Sequence, residues 1–192
     1  MGAKAFLGFV PWIIFWVVCG PSTWEYAAGG ALLAAVILLI PSRERGRIKI
    51  LDIVSVLFFA ALTVAGLVLD RSRLVWLEDY SQAISSGILA VVVLGSLAFV
   101  PFTEQYAREQ VPRQFWSSPM FKQVNRTLTL VWGLAFALCA VLGVFAQHDR
   151  GGSVWLNWII PIVVIVGACK FTSWYPDRVK AAQDGAAGAA TA

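Results

Sequence analysis

Residues Thr127 to Ala146 read TLTLVWGLAFALCAVLGVFA, twenty positions without a charged side chain. At 1.5 Å per residue a helix of that length covers ~30 Å, the thickness of a bilayer's hydrocarbon core. The apolar residues are continuous and do not alternate, which is the pattern of a membrane helix and not of a barrel strand. Five more runs of this kind flank it: Ala5–Gly20, Trp24–Ile40, Ile50–Leu69, Tyr80–Val100 and Val154–Trp174. The first two are short and need snorkelling flanks or local thinning of the bilayer.

Composition points the same way. The chain is 59% hydrophobic and 14% charged, with mean hydropathy +0.74, against roughly 45–50% and 25% in soluble domains. A water-soluble fold of 192 residues could not bury so much apolar surface. The expected fold is therefore an all-α, polytopic membrane helical bundle: residues 1–180 as a six-span domain with a cytoplasmic loop at 101–126, and 181–192 as a disordered tail rich in Ala and Gly. Lys4 followed by an apolar run imitates a secretory signal, but Val17-Val18-Cys19-Gly20-Pro21 lacks a small-x-small cleavage pattern, so the run reads as a retained first span.

Orientation follows from the basic residues. Lys4, Arg43, Arg45, Arg47, Lys49, Arg108, Arg113, Lys122, Arg126, Lys170, Arg178 and Lys180 fall on one side of a six-span chain, and Arg71, Arg73 and Arg150 on the other. The positive-inside rule places the twelve in the cytoplasm, with both termini, in a plasma (inner) membrane. The net charge of +4 then faces anionic lipid, and nucleic acid is not expected as a partner. Trp24, Trp76, Trp155 and Trp158 are expected at the outer interface, Trp116 and Trp174 at the inner one.

Two groups of residues are candidates for function. In the 101–126 loop, Glu104 and Arg108 stand at i,i+4. Thr103, Tyr106, Glu109 and Trp116 accompany them, with Asn125 as an expected helix cap and Arg126 facing lipid phosphate or an acidic partner at a helix N-terminus. Within the membrane, Pro11 and Pro161 break helical hydrogen bonding, while Gln82, Ser86, Asn157 and Trp132 bring polar groups to it. No charged residue lies at the centre of a span, His148 is the lone histidine, and no Walker or dinucleotide loop occurs. Neither a catalytic set, a metal site nor a cofactor is therefore expected. Cys19, Cys139 and Cys169 read as small apolar residues, and the small residues of spans 2 and 5 as packing faces that allow a homo-oligomer.

Several scattered features resemble the bacterial intracellular septation protein A family: Phe9-x-Pro11 with Phe15, the basic link Arg43–Lys49, Pro101 after span 4, Phe115-Trp116, Asn125, Trp132 with Phe136, and Trp155-x-Asn157. The Thr103–Glu109 stretch departs from that pattern, and charge counting gives six spans where the resemblance implies five. What the resemblance implies is cell-envelope maintenance or septation, performed through membrane-protein partners and not by catalysis. Two other readings compete. One is a small transporter or channel for a neutral or lipid-like solute. The other is a lipid head-group enzyme, with Glu104 as acid or base and Arg108 or Arg126 holding phosphate, which requires these side chains to converge on one cytoplasmic pocket.

Overall fold

The computed structural model describes residues 7–20, 23–44, 46–148 and 154–190; Lys4, Ala5, Arg45 and Arg150 lie outside them, as do the side chains of Arg71, Arg73 and His148. Every regular element among the described residues is helical: α1 (Val10–Val18), α2 (Trp24–Glu44), α3 (Ile50–Val68), α4 (Arg71–Gly95), α5 (Phe102–Ala107), α6 (Pro119–His148) and α7 (Ile160–Ala190). A π-helical turn, Trp155–Ile159, leads into α7. Five helical stretches are long and apolar enough to cross a bilayer: Trp24–Glu44, Ile50–Val68, Leu74–Ala98, Pro119–Gln147 and Trp155–Ala182.

The expected first span differs from the other five. Its described part forms a nine-residue helix, ~13 Å of rise. Cys19 is extended, and Gly20 and Pro21 follow, so the helix cannot continue. Pro11 sits in the first turn of α1, not in the interior of the helix. There its missing N–H would have had no helical partner, so it kinks nothing.

α1 lies along a seam. α2 packs on α1 and α3, while α4 packs on α6, and α6 on α7. Three polar contacts tie α1 across this division. Trp12 Nε1 donates to Ser55 Oγ of α3 (2.7 Å), Trp16 Nε1 to Ser85 Oγ of α4 (2.9 Å), and Cys19 Sγ meets Ser81 Oγ of α4 (3.2 Å). Around them is an aromatic core. Trp12 stacks on Phe58 with centroids 5.0 Å apart, and Phe9 stacks on Trp132 at 5.5 Å while meeting Phe102 edge-on. In lipid, where no hydrophobic force drives helices together, such interdigitation and interhelical hydrogen bonds supply the association.

α4 and α6 run antiparallel and close. A Cβ built on Gly143 would come within 3.3 Å of the Ala83 Cα, one on Gly87 within 3.8 Å of the Ala140 Cβ, and one on Gly133 against Leu94. α4 begins nine residues before the expected Tyr80, because the polar segment from Arg71 continues the helix beyond its apolar stretch. α6 likewise starts at Pro119 instead of Thr127. Ser118 Oγ accepts from Phe121 N (3.2 Å) and caps it. Asn125 is therefore no cap; it lies within α6 and donates back to the Phe121 carbonyl (2.8 Å). Arg126, for the same reason, is not at a helix N-terminus. α7 remains helical through Ala190, across the Ala- and Gly-rich end.

Candidate functional site

The 101–126 segment is a folded element at the basic end of the bundle. Ser96 Oγ accepts from Phe102 N (3.0 Å), which turns the chain from α4 into α5. Phe102, Thr103, Glu104 and Tyr106 are all buried. Thr103 Oγ1 donates to the Asn125 carbonyl and lies 2.8 Å from Thr129 Oγ1, fastening α5 to α6. From the other side, Gln105 Oε1 accepts from Ile50 N (2.9 Å), and Glu109 pairs with Lys49 at 2.8 Å. The loop is thus clamped between the start of α3 and the start of α6.

Its charges are largely spent within the fold. Glu104 is buried and pairs with Arg108 (2.6 Å), as the i,i+4 spacing predicts. Lys49 lies 4.5 Å above the Tyr106 ring, and its backbone N–H donates to Asp52. Arg108 and Arg113 both lie over Trp116, at 5.0 and 5.7 Å. That indole donates to the Val111 carbonyl, so Trp116 holds the loop together and is no free interfacial anchor. Arg126 is exposed and joins neither Glu104 nor Glu109. Of the residues that a lipid head-group enzyme would bring together, Glu104 and Arg108 meet, and Arg126 stands apart from them.

Among the described residues the Tyr106 hydroxyl is the one side-chain polar atom wholly shut from solvent without a partner, and it points at Gly8 where a Cβ would collide with it. Burial first, then the carboxylates of Asp52 and Glu109, push its phenol well above the usual range. Outside the clamp, Arg47, Lys49, Gln105, Arg108, Glu109, Arg113 and Trp116 surround an open polar hollow of about 590 Å³.

A second site lies within the membrane part. Gln82 and Ser86 of α4, Asn157 of the π-turn and Pro161 of α7 come together at a cavity of about 250 Å³. Ile13, Trp16 and Val17 of α1 and Cys139 and Gly143 of α6 complete its wall, with Trp158 and Ile162 beside Asn157 and Pro161. Four of the six intramembrane candidates are therefore brought together. Pro11 is buried away from the cavity, and Trp132 instead donates to Thr172 Oγ1 of α7 (2.9 Å). Trp16, Cys139 and Gly143 were not anticipated; nothing in an apolar helix marks which side chain faces a hollow. Trp158 contributes to this wall, and Trp24 is only 2% exposed, packed near Gly66. Trp76, Trp155 and Trp174 are exposed as expected of interface residues.

The cavity wall is built around a defect. Pro161 has no N–H, so the Asn157 carbonyl loses its i+4 partner, and Gln82 Nε2 donates to it instead (2.9 Å). The π-turn absorbs the same mismatch. Gln82→Leu is expected to cost about 1–2 kcal/mol in thermal unfolding in detergent. Adding Pro161→Ala returns an N–H to the helix and should recover most of that loss; an equal cost with and without Pro161 would refute this account. An empty hollow of this size inside a packed core would cost about 6 kcal/mol at the rate measured for engineered cavities. Its open side lets lipid or a ligand fill it.

No family model matches the sequence, and no solved structure does. Two curated proteins are similar over most of the chain. One is the inner membrane-spanning protein YciB of Psychromonas ingrahamii, 25% identical over 162 residues, covering 81% of this chain and 78% of that protein. The other is the protein of the same name from Sodalis glossinidius, 22% identical over 158 residues, covering 81% of this chain and 84% of that protein. With five helices long and apolar enough to cross a bilayer and relatives of that kind along most of its length, the chain is a multi-pass inner-membrane protein similar to YciB.

Proposed function

We propose that this chain is a six-pass bundle, with α1 as its short first pass and both termini in the cytoplasm, that serves cell-envelope maintenance or septation by binding other membrane proteins. The observation that carries this reading is the clamped α5 segment. It is a packed platform at the end of the bundle that carries Arg108, Arg113, Lys122 and Arg126, with Arg113 and Phe115 exposed on it and Arg47 exposed beside it. Rigid loops on a packed scaffold are where binding residues concentrate. The basic bias along the chain supports the orientation, and likeness to inner membrane-spanning proteins supports the location.

The test replaces Arg47 and Arg113 with Gln, together with Phe115→Ser, in a strain that depends on the protein. Localisation, cell length and in-cell crosslinking from the loop are then measured. Loss of crosslinked partners and elongated cells, at unchanged protein level, is the expected result. A triple variant that localises, crosslinks and complements like the wild type would sink the proposal. A second reading, a carrier of a neutral lipid-like solute, is favoured by the cavity at Gln82 and Ser86.

A further inference from the structure

We infer that the cavity at Ser86 is a binding site for an uncharged, lipid-soluble carbonyl compound of the quinone class, and that its ring enters sideways from the bilayer between α1 and α7. The first reason is access. Ile13 and Val17 on α1 and Ile162 and Val166 on α7 line the cavity yet are exposed, so its mouth opens through the apolar flank of the bundle. A ligand entering there is already dissolved in lipid. The second is charge. No carboxylate, amine, guanidinium or imidazole lines the cavity, so an anion or cation would be left uncompensated in a low-dielectric site.

The third reason separates a carbonyl compound from a phospholipid tail. Ser86 lies about ten residues from both Trp76 on α4 and Ser96 just after it, ~15 Å from either level, and so near mid-depth. It is 3% exposed and lines the cavity, and its hydroxyl makes no hydrogen bond among the described residues. A neighbouring acyl chain would leave that hydroxyl without a partner. A ring carbonyl accepts from it. Engineered cavities of ~150 Å³ take up benzene, so about 250 Å³ admits a substituted six-membered ring. Trp16 and Trp158 supply aromatic walls, and the Gln82–Asn157 bond fixes the far side before any ligand arrives.

The test uses the full chain in nanodiscs of phosphatidylethanolamine and phosphatidylglycerol, titrated with decylubiquinone and read by quenching of tryptophan fluorescence. Saturable quenching is expected, with Ser86→Ala weakening the apparent Kd by about three- to tenfold, the equivalent of one hydrogen bond. The double variant Val17→Phe/Ile162→Phe narrows the mouth at two lipid-facing positions and is expected to abolish saturation. Should it unfold, as judged by circular dichroism, Ser86→Ala decides alone. Quenching that never saturates, or that is the same in wild type and Ser86→Ala, would overturn the inference. So would quenching by bromo-acyl lipids that decylubiquinone does not relieve, which would assign the cavity to an acyl chain.

Discussion

Replacing Gly143 with leucine is expected to lower the stability of the detergent-solubilised protein by about 3 kcal/mol and to loosen α4 from α6. The Cβ alone would lie 3.1 Å from the Ala83 Cβ and 3.3 Å from its Cα. Backbone cannot swing aside as a long side chain can, so the helices must separate over the stretch where they pack closest. The improved helix propensity of leucine over glycine, about 0.8–1 kcal/mol, offsets only part of this. Gly167→Leu is the matched control. Gly167 is also in a membrane helix, but a Cβ there meets nothing within 4 Å. That variant should be neutral or slightly stabilising. Equal effects at the two positions in thermal melts would show that the α4–α6 approach is not what Gly143 provides.

Trp12→Ala should cost about 3–5 kcal/mol, the other large effect. Trp12 is fully buried between Phe58 and Phe59 and gives its N–H to Ser55. Truncation removes the stacked ring, leaves a void along the seam, and strips Ser55 of the donor that it faces. Trp12→Phe keeps most of the ring contacts while losing the hydrogen bond, so it should fall by about 1–2 kcal/mol. Chemical unfolding in mixed micelles would order wild type, Phe and Ala in that sequence. A phenylalanine variant as unstable as the alanine one would place the larger share in the hydrogen bond to Ser55.

The helical class and the approximate position of each long helix could be read from hydropathy, because lipid demands that every backbone group be satisfied within its own segment. Helix ends were less readable. Hydropathy marks where a helix meets lipid, while α4 and α6 continue beyond it through Arg71–Asp79 and Pro119–Arg126. The 101–126 stretch looked like a connector because its anchors are distant in sequence. Gln105 binds Ile50 and Glu109 binds Lys49, and in the sequence Lys49 reads as one more charge of a basic link. Within the membrane, Gln82, Ser86, Asn157 and Pro161 stood out as departures from an apolar background, and they do meet. Trp132 stood out equally and is satisfied by Thr172. Polarity in a span signals that a partner is needed, not whether that partner is a neighbouring helix or a ligand.

The place of α1 has a bearing on how the protein is made. Its residues leave the ribosome before those of α2 to α7, yet Phe9 ends against Phe102, Trp132 and Phe136, and Trp16 against Ser85. Ser85 is made before the midpoint of the chain, but Phe102, Trp132 and Phe136 all lie beyond it and are made later. During that interval the nine residues of α1, too short to hold a stable crossing alone, have only α2 and α3 for support. A segment translated ahead of the six helices that follow is therefore among the last to reach its final neighbours, and insertion of the later helices is coupled to the docking of α1.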